Sequence, residues 1–99
     1  MELQEFRESL NASAPPPGLP LVLAALWWDA KGEWQKAHEC AQQEETPDHA
    51  WVHAYLHRKE GDLPNARYWY GQAKRPVANG EFAPEWTRIA QTLLANQAH

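Results

Sequence analysis

Cysteine is almost absent from this chain: Cys40 is the only one in 99 residues. An internal disulfide is therefore excluded, and the composition fits a reducing compartment. No apolar run approaches the roughly 18 residues that a membrane span requires. The opening Met1-Glu2-Leu3-Gln4-Glu5 is acidic where a secretory signal begins with positive charge, so the cytoplasm is the expected location and no membrane partner is expected. A basic excess is missing too. Net charge is −4; residues 1–45 carry eight acids and three bases, and residues 46–99 five acids and six bases. Duplex nucleic acid is thus not an expected partner, because neutralising several phosphates needs a basic surface. There is no Gly-rich phosphate loop, no Gly-x-Ser-x-Gly, and no carboxylate pair in apolar surroundings. No cofactor and no catalytic residue are expected on these grounds.

What is present reads as helix. Leu3, Phe6, Arg7 and Leu10 stand at helical spacing, so the periodicity predicts an N-terminal helix within residues 1–10. Residues 11–19, with Pro15-Pro16-Pro17-Gly18, cannot continue it and read as an extended linker. From Pro20 the run LVLAALWWDA is apolar nearly all round, which predicts the most buried helix of the chain, ended by Gly32. Trp34 to Gln43 is its partner, with Trp34, Ala37 and Ala41 facing inward. After Arg75, Pro76 and Asn79-Gly80 mark a loop. A last helix over 84–97 places Trp86, Ile89, Ala90, Leu93 and Leu94 on one side and is expected to cap the open end of the helix stack.

The most informative stretch is Pro47 to Arg75. Thr46 is suited to N-cap a helix that starts with Pro47 and carries Asp48 in its positive first turn. Gly61 suits a left-handed C-cap, Asp62 the next N-cap, and Pro64 the first turn of a second helix running to about Lys74. Gly61-Asp62 is then the corner of a helical hairpin.

Ala54, Gly61, Asp62, Leu63, Ala66, Tyr70 and Ala73 stand at the spacing of a tetratricopeptide-like repeat. A weaker copy is carried by Ala25, Trp28, Gly32, Glu33, Trp34 and Ala37. Gly32 and Gly61 are 29 residues apart, shorter than the family's period of about 34, and Ala50, His53 and His57 replace the family's aromatic, leucine and tyrosine positions. Residues 20–75 thus resemble two such hairpins, and the resemblance implies an all-α stack with an N-terminal helix and a C-terminal capping helix. The string HAYLHRKEGDLPNARYWY also resembles one in small uncharacterised bacterial proteins, a resemblance that implies no activity.

Three groups of residues carry possible chemistry. His49, His53 and His57 line one stripe of the central helix at i, i+4 and i+8, with Glu60 one turn beyond. The favoured reading is that the imidazoles fill the interface between paired helices, so no metal is expected; the alternative is that His53, His57 and Glu60 ligate a metal or form a small hydrolytic site with a histidine as base. His38, two residues from Cys40 on another helix, adds nothing to that case from its position in sequence. Next come Trp51, Tyr55, Tyr68, Trp69 and Tyr70: rings at consecutive positions point about 100° apart, so Tyr68-Trp69-Tyr70 cannot all enter one core. Last are Arg58, Lys59, Arg67, Lys74 and Arg75, interleaved with those rings.

The resemblance implies that Trp51, Tyr55, Arg58 and Lys59 face a concave groove. Together with Arg67 and Trp69 they form the expected contact surface of a noncatalytic binding module for a peptide, a protein with acidic character or a small anionic ligand. Replacing Arg58 and Arg67 by Ala is expected to weaken such a partner and spare the fold. Self-association through the same rings, giving a homodimer, is the rival use of that surface.

Overall fold

The computed structural model describes residues 1–97, and these are all-helical: α1 (Leu3–Ser9), α2 (Leu21–Ala30), α3 (Trp34–Ala41), α4 (Pro47–Glu60), α5 (Leu63–Ala73) and α6 (Phe82–Gln97). The principal pairs are α2 with α3 and α4 with α5, and α3 and α2 both pack against α4. No helix among the described residues is long and apolar enough to cross a membrane.

Local chemistry explains the element boundaries. The Thr46 hydroxyl accepts from the His49 N–H at 3.2 Å, and Pro47 occupies the first turn, where its missing N–H costs nothing. At the other end Gly61 takes φ 93°, which lets its own N–H and that of Asp62 reach the carbonyls of Arg58 and His57. The Asp62 carboxylate then accepts from the Asn65 N–H at 3.3 Å and starts α5.

Helix α4 is the centre of the molecule. Every residue from His49 to Arg58 is buried, a longer enclosed run than in α2, where Val22–Trp27 and Asp29 are buried. A helix this short of one-sided amphipathicity must be covered on several sides. Its histidine stripe faces α3 and α5, where His53 meets His38 and Trp69. Its opposite stripe faces α2 and α6, where Tyr55 bonds to Asp29 and Arg58 to Glu85.

Helix α6 departs from the expected position. It begins at Phe82, with Pro84 inside its first turn, and it packs against α2 and α4, with α1 also against it, and not on the end of the α4–α5 pair where a cap was expected. The cause is side-chain chemistry. Trp86 Nε1 donates to the Leu26 carbonyl at 3.0 Å, its ring stacks on Phe6 with centroids 5.7 Å apart, and Glu85 reaches the α4–α5 pair. Ile89, Ala90 and Leu93 are fully enclosed beneath it.

Candidate metal centre at a three-histidine cluster

Helices α3 and α4 bring together three imidazoles that are 15 and 19 positions apart in sequence counted from His38. His38 Nε2 lies 3.0 Å from His53 Nε2, and the ring of His57 stacks on His53 at 4.7 Å and meets His38 edge-on at 5.2 Å. One ligand nitrogen from each of His38, His53 and His57 lies within 4.8 Å of the others. His53 and His57 are buried, and His38 is half-buried.

Aromatic rings hold the cluster in place. Trp34 stacks on His38 with centroids 4.9 Å apart and an interplanar angle of 10°. Trp69 stacks on His53 at 4.1 Å and 15°. Trp34 is fixed in turn by its Nε1–H, which donates to the Leu56 carbonyl at 2.9 Å. Two imidazoles clamped between two indoles have little rotamer freedom left, so the nitrogens are pre-positioned.

Hydrogen bonds set the tautomer of the third ring. His57 Nδ1 is 2.7 Å from Glu60 Oε1 and donates to it, which leaves Nε2 with its lone pair free to accept. Asn65 Nδ2 lies 3.4 Å from that Nε2 and donates to the same lone pair, so it would give way where an ion binds. A carboxylate behind a ligating histidine is the usual outer-sphere partner of a metal site, where it orients the ring and raises its basicity.

Burial favours the neutral form of His38 and His53. His53 is pulled down to about 4 by desolvation first, and then by the charges that His38 and His57 would carry. His38 is lowered as well, by desolvation and by His57, with Glu60 and Glu39 acting in the opposite direction. Neutral imidazole is the form that binds metal. A base with a pKa near 4 removes protons poorly at neutral pH, which weighs against the acid–base use of His53.

The expected ladder is therefore rearranged. Glu60 stands behind His57 as its hydrogen-bond partner, and the third imidazole that joins His53 and His57 comes from His38. His49 belongs elsewhere: its Nδ1 lies 3.1 Å from the Ala41 carbonyl and its Nε2 3.1 Å from Glu44. His38 stands four residues after Trp34 and adjoins Ala37, and only the packing of α3 on α4 gives that position meaning.

The expected contact surface does not form one surface. Trp51 is buried beneath the Arg75 guanidinium, 3.9 Å from its ring, and Tyr55 is 1% exposed with its hydroxyl donating to Asp29 at 2.9 Å. Arg58 is 8% exposed; Nε donates to Glu85 at 2.9 Å and Nη1 to the Gly80 carbonyl at 3.1 Å. These groups are enclosed because α6 occupies the face of α4 that was expected to be open. Lys59 and Arg67 are exposed and Trp69 is half-buried; of the Tyr-Trp-Tyr run, Tyr68 is the exposed ring and Tyr70 the core ring.

No family model, no curated protein and no solved structure matches the chain.

Proposed function

We propose that this protein binds one divalent transition-metal ion through His38, His53 and His57, on a scaffold of two tetratricopeptide-like hairpins whose concave side is filled by α6. The observation that carries the reading is the convergence of three imidazole nitrogens from two helices, with two of them 3.0 Å apart. Nitrogens bound to a tetrahedral zinc ion at about 2.0–2.1 Å stand about 3.3 Å from one another. The His38–His53 spacing is already close to that value, and the third nitrogen needs an adjustment on the scale of an ångström.

Three neutral nitrogens select copper, nickel or zinc and disfavour magnesium and calcium, which take oxygen ligands. Glu60 supplies the nearby negative charge and holds His57 in the ligating tautomer. Solvent reaches the cluster from a cleft of about 370 Å³ that His53 lines together with Tyr68 and Trp69, with Glu44 and Glu45 at its edge. These acids favour approach of a cation.

The test is calorimetric titration of chelator-treated protein with Zn²⁺, and with Co²⁺ followed by its visible absorption. One equivalent is expected to bind, with a tetrahedral cobalt spectrum. His38 is partly exposed, so His38→Ala keeps the fold and is expected to weaken binding at least a hundredfold; His53→Phe, which retains the stacking on Trp69, does the same. His49→Ala leaves affinity unchanged. Absence of stoichiometric binding, or equal affinity in His38→Ala and the parent, overturns the reading.

A further inference from the structure

On the opposite side of α4 from the histidines, α1, α2, α4 and α6 enclose an open cleft of about 580 Å³. We infer that this cleft binds a small aromatic carboxylate, with its ring between Trp86, Phe82 and Ala30 and its carboxylate on Arg7.

The volume lies within the range of small-molecule sites, and the walls have the composition of one: apolar side chains with a few convergent polar groups. Three charged residues line it, Arg7, Lys59 and Asp29, giving +1. Their pairing decides what the cleft recognises. Asp29 is buried, and both of its oxygens are engaged: Lys59 Nζ lies 2.9 Å from Oδ1, and the Tyr55 hydroxyl donates to Oδ2 at 2.9 Å. That carboxylate is neutralised and has little capacity left for a ligand. Arg7 is different. Its Nη2 donates to Thr87 Oγ1 at 2.7 Å, its guanidinium lies 5.8 Å from the Trp86 ring, and among the described residues no carboxylate comes within 4.0 Å of it.

A guanidinium held by a neutral hydroxyl keeps most of its five donors for an incoming anion, and its planar fork matches a carboxylate. Phe82, 37% exposed, is the open aromatic ring of the cleft, with the Arg58 guanidinium 4.6 Å from its centroid, while Trp86, stacked on Phe6 and 8% exposed, adds a smaller apolar area. Tyr55 and Lys59, expected from the sequence to touch a ligand, line this cleft, and there they form its floor.

The experiment is a titration of the full chain with 2-naphthoate and, separately, with its uncharged analogue 2-naphthamide, followed by amide and indole NMR shifts. The expected result is saturable 1:1 binding of 2-naphthoate, with shifts centred on the Trp86 indole, Ala30 and Thr87. The amide should bind at least tenfold more weakly. Arg7 is exposed and outside the core, so Arg7→Ala folds and is expected to remove the preference for the anion. Ala83→Trp, which fills the cleft from an exposed position on α6, blocks both compounds. Equal binding of naphthoate and naphthamide, shifts centred on Tyr68 and Trp69, or unaltered naphthoate affinity in Arg7→Ala each overturns the assignment.

Discussion

Arg58 and Glu85 are 8% and 2% exposed, and the guanidinium meets the carboxylate at 2.8 Å while Tyr70 donates its hydroxyl to the other oxygen. At that depth, the pair is worth less than its Coulomb energy because both ions have lost their water, but breaking it is expensive. Arg58→Ala leaves Glu85 charged, buried and bonded only to Tyr70. It also frees the Gly80 and Glu81 carbonyls that the guanidinium holds ahead of α6. A loss of about 3–5 kcal/mol is expected in urea unfolding, with part of it restored when Glu85→Gln is added. Arg67→Ala, on the exposed face of α5, is expected to change stability by less than about 0.5 kcal/mol. The two arginines look alike in sequence, and their burial makes them opposites.

At the scale of the element, the ends of the central hairpin give a paired prediction. Gly61 ends α4 at φ 93° and Lys74 ends α5 at φ 59°, so both helices stop in the left-handed region, one with glycine and one with a side chain. Nothing lies within 4 Å of a Cβ built on Gly61, so Gly61→Ala meets only the backbone penalty and is expected to cost about 1 kcal/mol. Lys74→Gly removes the same kind of penalty and is expected to gain up to about 1 kcal/mol, less the entropy glycine returns to the unfolded chain. Thermal midpoints of the two variants, moving in opposite directions from the parent, check both.

These ends were legible in the sequence because caps and turns are decided by residues within four positions of one another: Thr46-Pro47, Gly61-Asp62 and Pro64 each report their own geometry. The docking of α6 was not legible. Its apolar stripe fits the end of a stack as well as a face, and what chooses between them is where Trp86 and Glu85 find partners in Leu26 and Arg58, 60 and 27 residues away. His38 was missed for the same reason. Its chemistry depends on α3 lying against α4, and no spacing within α3 carries that contact. Two of the three histidines were visible as the i, i+4 pair of α4; the ion-binding geometry exists only after the hairpins pack.

For the whole molecule, the buried histidines link stability to pH in a direction that follows from His53. In the unfolded chain an imidazole takes up its proton near pH 6.5, whereas folded His53 stays neutral down to about 4. Between those values the unfolded state holds more protons, so stability falls as pH falls. The contribution is complete above about pH 6.5 and spent below about pH 4. A 2.5-unit difference corresponds to about 3 kcal/mol, to be read as the pH dependence of urea unfolding in chelator-treated protein.

Metal adds to this with the same sign. An ion that binds the folded state alone stabilises it by RT ln(1 + [L]/Kd), about 2.7 kcal/mol at a hundredfold excess over Kd, and it competes with protons for the same nitrogens. The zinc-induced rise in thermal midpoint is therefore expected to be largest at pH 7–8 and to shrink steadily toward pH 5. Glu60→Gln weakens the hold on His57 and is expected to reduce that rise through a 10–100-fold loss of affinity. His49→Ala provides the control, since its imidazole is tied to Ala41 and Glu44 outside the cluster. A zinc-induced shift that is the same at pH 5 and pH 8, or that persists in His38→Ala, would place the ion at surface carboxylates such as Glu44 and Glu45 and away from the three histidines.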